Sequence, residues 1–216
     1  MKVSTFPGVF APISDSFLLE EAVAAERPAT GARLLDVCTG SGLVALAAAS
    51  LGVSTTAVDI SRRAVWTARW NAWRATQSVR VLRGSLFEPV KSERFDYIVS
   101  NPPYVPSTDR DLPRRGRSRA WAAGPDGRVV LDRIIDLAPA HLFPGGRLLV
   151  VHSSLIGEDR TLARLADAGF EQPEVVERRR GPLGPLMREQ QRRGTIAPHI
   201  EVEDLLVVRA IRSRNG

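Results

Sequence analysis

Arg33-Leu34-Leu35-Asp36-Val37-Cys38-Thr39-Gly40-Ser41-Gly42, running into Leu43-Val44-Ala45-Leu46-Ala47-Ala48-Ala49-Ser50, is the stretch on which the fold turns. A short apolar run, a glycine turn and an alanine-rich amphipathic segment read as the first strand, turn and helix of a parallel sheet. A turn of this kind sets backbone N–H groups and a helix N-terminus beside a ligand. In an open parallel sheet that position is the usual crevice for nucleotides. Gly40-Ser41-Gly42-Leu43-Val44-Ala45 formally satisfies the G-x-G-x-x-A dinucleotide fingerprint, with Asp59 at the end of the next apolar run. Asp36 and Asp59 suit an S-adenosylmethionine site equally well, so the spacing alone leaves a hydride-transfer enzyme and a methyltransferase open. The chain has no G-x-x-x-x-G-K-[ST] phosphate loop, and Ser41 lacks the G-x-S-x-G context of a hydrolase.

Outward from this unit, apolar runs keep alternating with helical periodicities. Helices are predicted over residues 15–26 (capped by Ser14 or Asp15), 43–50, 61–75 (capped by Ser61), 129–142 and 158–168. Strands are predicted over 33–37, 53–58, 79–82, 95–99, 147–151, 174–177 and 205–211, with a turn at Pro144-Gly145-Gly146. The expected fold is α/β, a doubly wound, Rossmann-like seven-stranded sheet. It is mostly parallel with a C-terminal antiparallel strand, and helices cover both faces. The expected organisation is one domain over 1–216, with a helical lead-in over 1–30 and an Arg-rich insertion over 177–200.

Composition narrows the function classes. Apolar residues make up 44% and charged residues 25%, ordinary values for a globular domain. One cysteine, Cys38, excludes an internal disulfide framework and a Cys-based zinc site. His141, His152 and His199 show no zinc spacing, so no metal is expected. No apolar stretch approaches the roughly 20 residues of a membrane span, and the opening residues lack a signal-peptide pattern. A soluble, cytoplasmic protein is expected. The net charge of +6 comes from 30 Lys+Arg against 24 Asp+Glu, and only Lys2 and Lys91 are lysines. The arginines concentrate in Arg110, Arg114, Arg115, Arg117, Arg119 and in Arg178, Arg179, Arg180, Arg188, Arg192, Arg193. The expectation is that both runs flank the carboxyl edge of the sheet, as an electropositive rim for an acidic or nucleic-acid-containing partner.

Phe95-Asp96-Tyr97-Ile98-Val99-Ser100 leads into Asn101-Pro102-Pro103-Tyr104. Each proline fixes φ and lacks an N–H, so the ladder stops there and the preceding residue is held out of the helical region. The stiff turn leaves the Asn101 amide and the Pro102 carbonyl projecting from the strand end. Each of these oxygens is able to take one hydrogen of a planar NH₂, with Tyr104 as an aromatic face beside it.

Val99-Ser100-Asn101-Pro102-Pro103-Tyr104-Val105-Pro106 resembles the signature of class I S-adenosylmethionine-dependent N-methyltransferases, most closely the HemK-like (NPPY) protein glutamine methyltransferases. The resemblance extends to Pro12-x-x-Asp15-Ser16-x-x-Leu19, to Asp36–Gly42, to Asp59 and to Ala120-Trp121-Ala122-Ala123-Gly124-Pro125-Asp126-Gly127-Arg128. The last stretch and the short lead-in are most similar to the compact branch without an N-terminal helical domain. The resemblance implies S-adenosylmethionine as cofactor, held by Ser16 and Asp36 near its methionine end, the turn Cys38, Gly40 and Gly42 along its backbone, Asp59 on the ribose and Ser85 with Leu86 at the adenine. It implies Asn101, Pro102 and Tyr104 as the acceptor site. The implied acceptor is the side-chain amide of a glutamine in a Gly-Gly-Gln motif of a translation release factor, in some relatives with a small activator subunit. Cys38 stands where the family turn usually has glycine, and Ser85 where an acidic residue is common; serine accepts a hydrogen bond but carries no charge. The competing readings are a nucleic-acid N-methyltransferase acting on an exocyclic amine of adenine or guanine, which must expose its base, and a non-catalytic cofactor-binding module.

Overall fold

The computed structural model describes residues 3–108 and 117–214, with residues 117 and 119 described by their backbone alone. The elements follow in the order α1 (Ser14–Ala25), β1 (Arg33–Val37), α2 (Leu43–Ser50), β2 (Ser54–Asp59), α3 (Arg62–Arg74), β3 (Val79–Arg83) and β4 (Phe95–Ser100). They continue with α4 (Val129–His141), β5 (Leu142–Ser153), α5 (Glu158–Asp167), β6 (Phe170–Pro182), α6 (Pro185–Arg192) and β7 (Val202–Arg212). The seven strands form one sheet in the order β3-β2-β1-β4-β5-β7-β6. The first five run parallel, and β7 pairs antiparallel with both β5 and β6.

The alternation of side chains along each central strand explains the three layers. Leu35, Val37, Ile98, Leu148, Val150, Leu206 and Val208 point to one face and pack with α4 and α5 residues such as Leu131, Ile134, Ile135 and Leu165. Leu34, Val99, Leu149, Val151 and Val207 point to the other, against Leu18, Leu19, Ala22 and Val23 of α1 and Val44 and Ala48 of α2. Strands buried on both faces read as continuous apolar runs, which is why β1 and β4 stand out in the sequence. The far end of α1 is fixed by Glu26, which accepts from Arg147 at 2.5 Å and Arg209 at 2.9 Å.

Several expectations need correction. The first turn of α1 is not capped by Ser14 or Asp15: the N-cap is Ile13, without a side-chain cap, because Asp15 is buried and bonded elsewhere. Ser61 does cap α3, accepting from the Ala64 N–H. Pro144-Gly145-Gly146 does not separate α4 from a strand; β5 already starts at Leu142, and a register shift between Phe95 and Tyr97 absorbs the irregularity. Strand β6 runs over 13 residues rather than the predicted 174–177. It is an edge strand carrying charge instead of an apolar alternation, as edges do, and cross-strand pairs such as Arg178–Asp204 and Arg209–Glu174 hold it. The 177–200 segment contains α6, which had no counterpart in the periodicity reading. Of the two arginine runs, Arg110, Arg114 and Arg115 and the side chains of Arg117 and Arg119 lie outside the described residues. In the other run Arg178 pairs with Glu158 and Asp204, Arg179 with Glu21, and Arg192 and Arg193 with Glu189. That pairing offsets much of the positive field expected from this run.

Arg128 is the largest fully buried side chain among the described residues. It donates to the Ile156 carbonyl at 2.9 Å, to Thr161 Oγ1 at 2.9 Å and to Asp132 at 2.7 Å, joining the start of α4 to the start of α5. Arg128→Met leaves the Ile156 carbonyl and Thr161 Oγ1 buried without this donor and Asp132 without its cation. The expected loss is about 3 kcal/mol or more of unfolding free energy, measured by denaturant titration.

Candidate active site

The sheet order reverses between β1 and β4, and there the carboxyl ends of two adjacent strands open side by side. Val37 lies opposite Ser100, and Ser100 Oγ donates to the Val37 carbonyl at 2.7 Å. The glycine turn after β1 and the Asn-Pro-Pro turn after β4 are thereby neighbours. Asp59 at the end of β2 joins them, accepting from the Gly40 N–H at 2.9 Å and the Ser61 N–H at 2.8 Å. The Gly84 N–H donates to the Asp59 carbonyl at 3.1 Å, so Ser85 and Leu86 follow β3 at the same edge.

The turn itself is built on backbone geometry. Gly40 and Gly42 have φ of 56° and 85°, and Cys38, at 62°, is also left-handed. A glycine at position 38 would adopt this conformation without strain. Gly42 has a second reason to lack a side chain: a Cβ there would sit 3.1 Å from Ala68 Cβ on α3. Asn71 braces the turn from behind, donating to the Ser41 carbonyl at 2.9 Å while exchanging hydrogen bonds with the backbone of Ser4.

Asp36 is buried on the α1–α2 side of the sheet. Desolvation, with the Asp59 charge adding, pushes its carboxyl up to about 7 against the opposing hydrogen bonds from Thr39 and the Ala45 N–H. Thr39 Oγ1 reaches it at 2.6 Å. Burial, with both carboxylates nearby, also pushes the Cys38 thiol far up, so it stays protonated and inert.

On the other side of the crevice, Asn101 Nδ2 donates to Ser16 Oγ at 3.1 Å. Ser16 Oγ lies 3.1 Å from Asp15 Oδ1, and the Ser16 N–H donates to the same oxygen at 2.5 Å. Tyr104 OH donates to Asp15 Oδ2 at 2.8 Å. Tyr104 is buried, and desolvation together with Asp15 keeps its hydroxyl protonated well above the usual phenol range. Its ring is therefore part of the packing, and its hydroxyl ties the Asn-Pro-Pro-Tyr turn to the first turn of α1. Residues 105–107 are laced to the stretch that follows: Val105 N–H donates to Trp121 O at 2.9 Å, Ala123 N–H to Val105 O at 3.1 Å and Ser107 N–H to Gly124 O at 2.9 Å. A Cβ on Gly127 would stand 2.5 Å from the Tyr104 carbonyl oxygen, so this close approach needs glycine.

The residues that the sequence implied for the cofactor and the acceptor thus collect at one edge, at the ends of β1 to β4 and the start of α1. Asp15, Thr39, Asn71 and Ser100 were missed as parts of it. Thr39 carried a signal, a hydroxyl three residues after a strand-end carboxylate; the partners of Asp15 and Asn71 lie too far along the chain to be read. Among the described residues there is no cluster of three or more His, Cys, Asp or Glu that could hold a metal ion. No described helix is long and apolar enough to cross a membrane.

A family model described as the methyltransferase small domain matches residues 1–113. A Methanocaldococcus jannaschii protein, provisionally named a protein N5-glutamine methyltransferase, is 33% identical over 188 residues, covering 87% of this chain and 93% of its own. The release factor glutamine methyltransferase of Geobacter sulfurreducens is 38% identical over 152 residues, 67% of this chain but only 53% of its own. This chain thus spans nearly all of the archaeal relative and about half of the bacterial one. Among solved structures, the E. cuniculi Mtq2-Trm112 complex responsible for methylation of the eRF1 translation termination factor matches with a TM-score of 0.67 at 20% identity, over 95% of this chain and 99% of the other. A T. thermophilus 16S rRNA N2 G1207 methyltransferase bound to AdoMet and guanosine matches with a TM-score of 0.68 at 20% identity, over 96% of this chain and 46% of the other. At such identities these two report a shared fold.

Two buried groups make opposite contributions to the pH dependence of stability. Asp36 keeps its proton in the folded state up to about 7 against its ordinary 3.8, so it lowers stability as pH rises from about 4 to about 7. Burial depresses His152 to about 4 from 6.5, so its contribution rises with pH over the same window and is lost below it. Asp36→Asn removes only the first. The expected outcome is that stability of the variant climbs more steeply than that of the parent between pH 4.5 and 7, read from unfolding free energies at each pH.

Proposed function

The chain belongs to the methyltransferase small-domain family, and from that membership we propose that it methylates the side-chain amide of a protein glutamine, with a translation release factor as its substrate. The observation that carries this reading is the Asn101 amide, held by Ser16 beside Pro102 at the point where the sheet order reverses. S-adenosylmethionine is the methyl donor, and when bound it supplies a sulfonium methyl open to direct displacement.

The residues at the crevice fit that cofactor. Asp36 is a desolvated carboxyl raised by burial and by Asp59, and a cation placed beside the pair reverses that shift. A carboxylate has about four lone-pair sites. Asp59, besides accepting the Gly40 and Ser61 N–H groups, is thus able to take ribose hydroxyls. The space above Gly40 is open on the side where a Cβ would be. Cys38 and Gly42 shape the turn, and Leu86 with Ser85 would meet the adenine. The described side chains supply what the transfer needs by position rather than by a strong base. Asn101 Oδ1 and the Pro102 carbonyl accept the two amide hydrogens and so aim the nitrogen lone pair into the crevice. They also stabilise the positive charge that grows on that nitrogen as the N–C bond forms and the S–C bond breaks. The surplus proton leaves to solvent.

Asn101→Ala is expected to keep cofactor affinity within about threefold and to lower methyl transfer to a purified Gly-Gly-Gln release factor about 10²–10³-fold. Calorimetry with the cofactor and a labelled-methyl assay check the two halves. Near-parental transfer in this variant defeats the reading.

A partner subunit belongs to the same proposal. On α3 the side opposite its buried Ala64, Val65, Ala68 and Ala72 carries Trp66 and Trp73, 66% and 71% exposed, beside the open edge of β3. Large exposed aromatic patches mark interaction surfaces, and the E. cuniculi neighbour was solved as a two-chain complex. The expected outcome is that the protein isolated from its own cells carries a second chain in equal amount and that Trp73→Arg releases it. A single chain with undiminished transfer activity refutes the partner.

A further inference from the structure

We propose that Asp15 is a positioning residue that decides which end of the Asn101 amide faces the acceptor; the inference rests on the glutamine-methylation reading above. An asparagine side chain offers an oxygen at one end and an NH₂ at the other, and in this site only the oxygen is useful, because the incoming amide brings N–H donors. Nothing in the shape of the side chain selects between the two orientations. The selection has to come from a neighbour of fixed polarity.

The neighbours supply it by hydrogen counting. Asp15 Oδ1 accepts the Ser16 N–H at 2.5 Å, and Oδ2 accepts the Tyr104 hydroxyl at 2.8 Å. Both carboxylate oxygens are therefore acceptors. Ser16 Oγ, 3.1 Å from Oδ1, has a single proton and gives it to that oxygen. Toward Asn101, 3.1 Å away on its other side, the same Oγ is left only as an acceptor. It takes an N–H of Asn101 Nδ2, and Oδ1 is turned to the opposite end of the amide. If the amide were flipped, two oxygens would meet with no proton between them, since Ser16 has already committed its own. The Asp15 carboxylate is buried, where water is not at hand to relieve such a contact and an unmade hydrogen bond is costly. Tyr104 completes the device, because it belongs to the same Asn-Pro-Pro-Tyr turn and holds Asp15 from the side opposite Ser16. The polarity thus passes from one carboxylate to both ends of a four-residue turn.

The test is a kinetic comparison of Asp15→Asn with the parent, using S-adenosylmethionine and a purified Gly-Gly-Gln release factor. The variant keeps the shape but leaves one neutral amide oxygen where three donors, the Ser16 N–H, the Ser16 hydroxyl and the Tyr104 hydroxyl, had a carboxylate. The Ser16 proton is then held less firmly toward residue 15, and the flipped Asn101 amide becomes accessible. The expected result is a fall in kcat of about thirtyfold or more, with KM for the cofactor within threefold and the thermal midpoint too little changed to lower the folded fraction. Parental kcat in folded Asp15→Asn overturns the proposal, as does a loss that only tracks the folded fraction. Should that variant fail to fold, Ser16→Ala and Ser16→Thr carry the test. Loss of the hydroxyl is expected to lower kcat at least tenfold at saturating cofactor, and threonine to restore it within threefold. Equal kcat in alanine, threonine and parent overturns the proposal. An inactive Asn101→Ala beside an unaffected Asp15→Asn removes the positioning role alone, whereas an active Asn101→Ala removes the acceptor reading on which it rests.

Discussion

Where β1 and β4 lie side by side, Val37 faces Ser100 and the Ser100 hydroxyl crosses to the Val37 carbonyl at 2.7 Å. The chain winds away from this pair in opposite directions, through β2 and β3 on one side and β5, β7 and β6 on the other. At such a reversal of strand order a crevice opens between the two strand ends as a consequence of topology. The glycine turn and the Asn-Pro-Pro turn are single short segments, each leaving one of the two paired strands. Their separation is set by the ladder between β1 and β4, which the apolar cores hold from both faces. Functional groups mounted on strand ends inherit that rigidity.

Rigidity of the sheet does not by itself orient side chains, and here the N-terminal part of the chain contributes. Helix α1 packs on one face through Leu18, Leu19, Ala22 and Val23, and Glu26 anchors its far end to Arg147 and Arg209. Its first turn is thereby carried to the crevice, where Asp15 and Ser16 meet Asn101 and Tyr104. An uncapped helix start is the cost: Asp15, the one acidic residue in that turn, divides its oxygens between the adjacent Ser16 and a turn 89 residues away, and no side chain caps the helix. A capping bond is worth about 1 kcal/mol, so the exchange trades a modest local stabilisation for the placement of four functional groups.

The parts of this architecture that the sequence made legible are those governed by local rules. Leu34, Leu35 and Val37, buried on both faces, announce β1; Gly40 and Gly42 announce the turn; Pro102 and Pro103 announce the end of β4. The left-handed backbone at Cys38 agrees with the glycine that the family usually places there. What stayed hidden depends on tertiary partners. Strand β6 is an exposed edge whose arginines and glutamates break the period-two pattern, yet pairing with β7 extends it to 13 residues. Helix α6 is short and polar on most sides, with Met187 and Gln190 its buried residues. The Asp15–Tyr104 and Asn71–Ser4 contacts span 89 and 67 residues and have no local signature.

Stability and function pull against each other at the crevice. Asp36 sits in a position where an apolar residue would pack without penalty, and its carboxyl is pushed up to about 7 by desolvation. At the same edge the partly buried Asp59 adds its charge to the desolvation of Asp36, so two carboxyls oppose one another there. An edge of this kind is unfavourable when empty of positive charge and favourable when a cation enters. The opposed terms are distributed through the fold: the apolar faces of β1, β4 and β5 supply the stabilisation, and the strand ends hold the groups that diminish it. Four arginines of the surface run, Arg178, Arg179, Arg192 and Arg193, are paired instead with Glu158, Asp204, Glu21 and Glu189. The desolvated Asp36 beside Asp59 favours a positively charged ligand, and a sulfonium bearing the methyl group to be transferred meets that requirement.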